Sequence, residues 1–371
     1  MKFLRLIPIL LLITACNNTQ QSVPENKSAS DIIIGEKHSI YSESLGENRE
    51  LLISLPPNYK RNQHAYPVVF VLDAEYLFEV THAIVKIKSS RNEMPESIIV
   101  GIPNTTDARY DMALALHYSN GNTFFGDATG EKIQNYLSFF KKELMPFVQD
   151  QYRVNDHHTI IGMSPTFGPV LTAFWEEPEL FDASIILAAE LTLITDSGET
   201  IAERTVKAIQ DQSRNKSAIY IGKAGDDLLR RPEEEALAYE QMNQQLEQSA
   251  NPNISYTIEI LEEENHYGMA LKGIENGLET LYPFETWNIP YREFWNSENP
   301  AQQIKRHYQS LSLKYGFEVL PLEDSFYAAQ NLIGTLRRLE RNNRPKAYND
   351  VLKLALTYYP NSPALQSLEF R

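Results

Sequence analysis

Cysteine is almost missing from this chain. The single one, Cys16, has no second thiol to pair with, so an internal disulfide framework is excluded. Positive charge is also scarce. With 34 Lys and Arg against 49 Asp and Glu, the formal net charge is −15, and no basic stripe is present to displace counterions from phosphates. Nucleic acid is therefore excluded as a partner class. The apolar run from Leu6 to Ala15 falls well short of the ~20 residues that span a bilayer as a helix. Metal-ligand spacings and phosphate-cradling glycine loops are absent too, so neither a metal nor another cofactor is expected. What the chain does have is ample aromatic and aliphatic content. Its 371 residues suffice for one large α/β domain with an appendage.

The amino terminus carries an address. Met1-Lys2-Phe3-Leu4-Arg5 followed by Leu6 to Ala15 is a basic segment and a short apolar segment, the pattern of an export signal. Cys16 stands directly after Ile13-Thr14-Ala15, which resembles the lipobox of bacterial lipoproteins, where the cysteine is lipidated and becomes the mature amino terminus. A plain signal peptide cut near Ala15 is the alternative. The first reading makes residues 1–15 a lipoprotein signal peptide and 16–31 a polar, flexible tether. The protein would then be exported and held by its lipid at the outer membrane or the periplasmic face.

Residues 32–285 read as strands alternating with helices. Glu50 to Leu55 is strand-like and is halted by Pro56-Pro57. Pro67 to Leu72 and Ser97 to Ile102 are continuous apolar runs, as in strands covered on both faces. A helix is predicted over Phe78 to Lys88 and another over Glu131 to Tyr152, with Ile133, Leu137, Phe140, Leu144 and Val148 at helical spacing. Further strands fall at Thr159, at Ala183 to Leu187, at Ala218 to Ile221 and at Ser255 to Ile260. This grammar predicts a doubly wound, mostly parallel α/β sheet. The segments 103–130 and 188–215 would line a pocket, the first as its roof. Residues 286–371 contain only helical patterns, at 301–315, 325–342 and 346–358, and form a connector and a small all-helical tail.

The chemistry concentrates around Thr159-Ile160-Ile161-Gly162-Met163-Ser164-Pro165-Thr166-Phe167-Gly168. A strand ends, the chain turns at Ser164, and a helix begins, which is the setting of a nucleophile elbow. Ser164-Pro165 is equally an ordinary helix start. Gly162 matches the Gly-x-Ser-x-Gly pattern, and Thr166 departs from it. Pro165 has no N–H to donate to an oxyanion, and it biases the serine towards extended backbone. A hydrolase on such a sheet presents Ser, acid and His in that order at the carboxyl ends of strands. Downstream lie Gly222-Lys223-Ala224-Gly225-Asp226-Asp227 and Glu262-Glu263-Glu264-Asn265-His266, each after a predicted strand. His266 would take the proton of Ser164, and Asp226 or Asp227 would hold the imidazole. The runs Glu262–Glu264 and Glu233–Glu235 read as solvated, the latter as the exposed first turn of a helix.

Several stretches together carry a family resemblance. Gly46 to Glu50, Leu55-Pro56-Pro57-Asn58-Tyr59, Tyr66 to Asp73 and Ile98 to Asn104 resemble the esterase family related to enterochelin esterases. Arg109-Tyr110-Asp111-Met112, Glu143 to Val148, Glu179 to Ala183 and Glu264-Asn265-His266 continue the likeness. It implies an α/β-hydrolase fold and cofactor-free cleavage of carboxylic esters. By the resemblance Ser164 is the nucleophile and His266 the base, Asp226 fits the acid better than Asp227, and a second oxyanion donor lies near Ala74 and Glu75. Where relatives show Gly-His-Ser-x-Gly-Gly and Ser-Pro-Ser, this chain has Met163, Pro165, Thr166 and Phe167, and Ala188-Ala189-Glu190. The tail, chiefly 346–362, resembles a degenerate tetratricopeptide unit. Two readings result: a slow, membrane-anchored serine esterase acting on a small-molecule ester, or a catalytically impaired relative that binds a ligand or, through its tail, a protein.

Overall fold

A computed structural model of the chain describes residues 30–104, 112–125, 129–230, 232–288, 291–327 and 330–371. Cys16, the expected signal and most of the tether lie outside them, as does Arg109-Tyr110-Asp111. Ile34–Arg371 forms one compact unit. Among the described residues no helix is long and apolar enough to cross a membrane.

The strands are β1 (Glu36–Ser42), β2 (Glu47–Ser54), β3 (Tyr66–Leu72), β4 (Ile98–Ile102), β5 (Leu116–His117), β6 (Val154–Met163), β7 (Ala183–Leu187), β8 (Ile194–Thr195), β9 (Ser217–Ala224) and β10 (Ile254–Leu261). Eight of them form one sheet in the order β1-β2-β4-β3-β6-β7-β9-β10. The hairpin β1–β2 is antiparallel and adds to β4 antiparallel; every pairing from β4 to β10 is parallel. Parallel strands need covered crossovers, and helices duly lie on both faces. The chain has the α/β-hydrolase fold with a helical carboxy-terminal region. In β3, Val69 and Val71 enter one apolar layer, and Val68, Phe70 and Leu72 enter the other. That division explains why the sequence there is apolar at every position rather than at alternate ones.

The helices are α1 (Ala74–Ser90), α2 (Glu131–Phe139), α3 (Met145–Gln151), α4 (Phe167–Glu176), α5 (Ile201–Gln210), α6 (Pro232–Ser249) and α7 (Met269–Leu281), followed by the tail helices α8 (Phe284–Trp287), α9 (Tyr291–Asn296), α10 (Pro300–Tyr315), α11 (Leu332–Arg341), α12 (Pro345–Tyr358) and α13 (Pro363–Gln366). The first helix starts at Ala74, a full turn before the predicted Phe78, because Asp73 turns left-handed (φ 49°) and its carbonyl accepts from the Tyr76 and Leu77 N–H groups. A π-helical turn, Phe140–Leu144, separates α2 from α3 in what the sequence predicts as one helix. The helix expected over 325–342 is confined to α11, capped by the Asn331 side chain on the Gly334 N–H.

The tail shares the core of the sheet. Its side chains belong to the same apolar layer as α1 and α7. Trp287 is 1% exposed and stands edge-on to Tyr282, with ring centres 5.3 Å apart. Its Nε1 donates to the Tyr315 hydroxyl at 3.0 Å, and that hydroxyl donates to the Leu281 carbonyl. A buried tryptophan that also satisfies its N–H is costly to remove. Trp287→Ala is expected to lower stability by about 3–5 kcal/mol. Because the tail and sheet share one core, urea denaturation should show this as a shift of a single transition, with no early release of the tail.

Candidate active site

The parallel strands all end at one edge of the sheet, and every candidate residue follows such an end. The close approach of strand and helix at β6 dictates the local sequence. A Cβ on Gly162 would lie 2.5 Å from the Thr166 carbonyl oxygen and 2.7 Å from Val170, so only glycine fits. Met163 is still extended, Ser164 adopts φ 54°, and a tight turn through Thr166 feeds α4. Pro165 therefore does not hold the serine in extended backbone as the sequence suggests. The bend is a strained elbow, of the kind that costs on the order of 1–3 kcal/mol and persists only where its surroundings fix it.

What fixes it here is Thr166, the residue that replaces a glycine. Its Oγ1 accepts the Met163 N–H at 2.9 Å and donates to Asp73 Oδ2 at 2.7 Å, with the Met163 carbonyl also 2.9 Å away. Asp73 is fully buried, and Asn104 and Tyr76 donate to its carboxylate as well. Asp73 directly follows β3 and Ser164 directly follows β6, which are neighbours in the sheet. A carboxylate on one strand end thus ties down the turn on the next. The sequence reading assigned Asp73 and Thr166 no such role. The available signal was the coincidence of an acid closing one apolar strand and a hydroxyl two residues past the serine on another.

Ala74 and Glu75, near which the family resemblance puts a second oxyanion donor, occupy the first turn of α1. Ala74 is buried, and its N–H is one of the amides that a helix start leaves without an intrahelical acceptor. Glu75 is exposed and accepts from the Asn104 N–H at 3.1 Å and from its side-chain amide at 3.2 Å.

The acid and the histidine come together. Gly225 and Glu262 bring the loops after β9 and β10 into contact, since a Cβ at 225 would meet the Glu262 carbonyl oxygen at 2.3 Å. The Asp226 N–H donates to the Glu264 carbonyl at 3.2 Å, and its side chain is exposed. Asp227, not the favoured Asp226, faces the ring: its two oxygens lie 3.0 and 2.9 Å from His266 Nδ1. The backbone of Asp226 joins the loops, which turns the next side chain towards the histidine. With Nδ1–H directed at the carboxylate, Nε2 carries the lone pair that can take a proton. The ring stands perpendicular to that of Tyr267 at 5.0 Å, and Tyr267 in turn meets Tyr76 of α1 edge-on at 6.3 Å. Ser164 Oγ makes no hydrogen bond to His266 among the described residues.

Beneath this edge lies an ionic cluster. Lys223, with a fully buried side chain, contacts Glu190 Oε1 at 2.8 Å and the Ala189 carbonyl at 3.3 Å. Glu235 is expected on an exposed helical turn, and instead it is 1% exposed. It accepts from the N–H groups of Leu191 and Thr192 and from the Thr192 hydroxyl. These bonds hold the loop after β7, where the turn residue Ala188 is also left-handed (φ 59°). The two expected pocket-lining segments meet as a small antiparallel sheet, β5 with β8. Phe125 of the first rests on Phe167 of the elbow helix, with ring centres 6.1 Å apart.

A sheet of this topology with a strained serine after its central strand and an Asp–His pair after later ones defines the α/β-hydrolase class. Residues 42–267 match the Putative esterase family, more than half of the chain, and the chain belongs to that family. The fold is similar to that of an IroE-like serine hydrolase from Shewanella oneidensis, with TM-score 0.70 and 22% identity over 87% of this chain and 99% of that one. It is also similar to the siderophore hydrolase EstB from Aspergillus nidulans, with TM-score 0.53 and 14% identity over 72% of this chain and 99% of EstB. In sequence, the uncharacterized protein YbbA of Bacillus subtilis (strain 168) is 25% identical over 135 residues, 36% of this chain and 52% of YbbA. YjcH of the same organism is 26% identical over 151 residues, 39% of this chain and 58% of YjcH. The chain thus spans between half and two thirds of the curated relatives it matches.

Thr166 offers a direct test of the elbow. Thr166→Val leaves the Met163 N–H without its acceptor and the Asp73 carboxylate short of a donor, both in the interior. A loss of about 2–4 kcal/mol is expected, whereas Thr166→Ser should cost less than about 1 kcal/mol. Urea denaturation of the two variants separates the hydroxyl from the methyl group.

Proposed function

We propose that this protein is a serine esterase in which Ser164 is the nucleophile, His266 the general base and Asp227 the group that orients and balances the imidazole. The observation that carries the reading is the paired contact of both Asp227 oxygens with His266 Nδ1, on the same sheet edge as a serine held at φ 54°. A carboxylate so placed fixes the tautomer in which Nε2 accepts a proton, and it stabilises the imidazolium that forms. Ser164 Oγ attacks the ester carbonyl while its proton passes to Nε2; the proton then goes to the departing alcohol, and water repeats the cycle on the acyl-enzyme. The serine and ring must close to hydrogen-bond distance when substrate binds, as unliganded sites often require. Negative charge on the tetrahedral oxygen would be met by the Ala74 N–H and the start of α1. Pro165 supplies nothing there, which predicts a slow enzyme.

Pro165 also supports a second reading, a ligand- or partner-binding relative with the tetratricopeptide-like tail as a protein-docking surface. The discriminating assay is hydrolysis of p-nitrophenyl butyrate together with labelling by a fluorophosphonate. Labelling at Ser164, lost in Ser164→Ala, is the expected result; background rates and no labelling would favour the binding protein. Asp227→Asn should lower kcat on the order of a thousandfold or more, and Asp226→Asn should leave it near wild type. Pro165→Gly should raise the rate, by up to about a hundredfold if the missing amide limits it.

The lipobox-like Ile13-Thr14-Ala15-Cys16 supports an exported lipoprotein, anchored at the outer membrane or periplasmic face. Metabolic labelling with an alkyne fatty acid should mark the wild-type chain and spare Cys16→Ala. Equal labelling of both would remove the anchor from the proposal.

A further inference from the structure

A second concave site lies at the opposite edge of the sheet, where β6, β7, β9 and β10 begin and α10 of the tail ends. Its volume is about 720 Å³, within the range of small-molecule sites. Lys216, just before β9, and Lys314, near the end of α10, both line it. Neither has a carboxylate at ion-pair distance among the described residues; Lys314 Nζ donates to the Thr286 hydroxyl at 3.3 Å and lies 5.5 Å from the centre of the Tyr315 ring. Burial, and after it the charge of Lys216, lower the Lys314 ammonium from its ordinary value. Both side chains are exposed, and two ammonium groups lining one cavity attract an anion.

The carboxylates in the wall are otherwise engaged. Asp182 accepts the His158 N–H at 2.8 Å and sits 3.6 Å from His157 Nδ1, and Glu179 accepts the side-chain amide of Asn215 at 3.1 and 3.3 Å. His157, 6% exposed, also lines the cavity. With Nδ1 turned towards Asp182, its Nε2 is buried without a hydrogen-bond partner among the described residues, and the ring packs against Tyr282, Tyr315 and Phe317, which closes the inner wall of the cavity with aromatic surface. The remaining wall mixes polar side chains, Ser217, Asn253 and Ser255, with apolar ones that include Tyr315 and Leu313, the latter 83% exposed.

We propose that this cavity binds a small organic carboxylate, its charge held between Lys216 and Lys314 and its apolar body against Leu313 and Tyr315. The site joins strand starts to the tail, so an occupant would bridge the two. The proposal stands apart from the esterase reading, since it shares no residue with that site.

The test is isothermal titration of the full chain with sodium phenylacetate, and separately with inorganic phosphate. Wild type should bind phenylacetate saturably, and Lys216→Ala/Lys314→Ala should weaken it about tenfold or more. Ser164→Ala should bind it as wild type does, which separates this cavity from product binding at the esterase site. The double lysine variant should keep the wild-type melting temperature and p-nitrophenyl butyrate rate. Absence of saturable binding, equal affinity in the lysine variant, or loss of binding in Ser164→Ala would each overturn the proposal. Phosphate binding as tight as phenylacetate would overturn its apolar part.

Discussion

The structure around the catalytic edge depends on a backbone turn that ordinary residues avoid. Three strand ends leave the sheet through left-handed non-glycine residues: Asp73 after β3, Ser164 after β6 and Ala188 after β7. Each turn reverses the chain within a residue or so and lets a helix or loop rise at once from the strand. The cost is met by bonds that converge on the same edge. Thr166 joins the serine turn to Asp73, and Ala188 donates its N–H to the Gly222 carbonyl at 2.8 Å. Glu235 and Lys223 hold the loop that follows Ala188. Buried polar groups of this kind are stabilising only when fully partnered, and here the partnering also determines where the serine points.

The same constraint explains how the turn keeps its shape without a glycine two residues after the serine. A glycine two residues after the serine would leave the turn free of side chains. Threonine in that place adds a hydroxyl that needs a buried partner, and Asp73 provides one. Proline after the serine removes an amide from the place where charge would develop. The bend itself survives, because it is held by Gly162, Thr166 and Asp73, none of which requires an N–H at position 165. Geometry and hydrogen-bonding capacity are therefore separable here: the turn is fully held, while position 165 has no amide to donate.

The tail is part of the protein's core. Trp287, Tyr282, Tyr315 and Phe317 form an aromatic contact between the end of α7 and the end of α10, and His157 at the start of β6 lies against three of these rings. The start of the serine strand is thereby packed on the tail while its end carries the serine. The two ends of the same strands therefore differ in character. The carboxyl-terminal edge carries the left-handed serine and the Asp227–His266 pair, and the amino-terminal edge carries two lysines and the buried His157.

Much of this was legible in the text of the chain. Apolar runs such as Pro67 to Leu72 announce strands covered on both faces, because only that environment removes the need for alternation. The order of Ser164, the Asp226-Asp227 pair and His266 placed each after a strand, and parallel strands leave no other edge for those loops. The family resemblance favours Asp226, and the structure instead puts Asp227 at the ring, since adjacent side chains point apart and only the contact of the two loops decides which one meets it. The sequence likewise reads Glu233 to Glu235 as a solvated run, where the partners that bury Glu235 are more than forty residues away at Leu191 and Thr192. Local composition by itself determined the layering of the sheet and the kinds of group at its edge. Tertiary structure decided which acid, which hydroxyl and which buried carboxylate act together, because those pairings are set by distances between strand ends that no local pattern encodes.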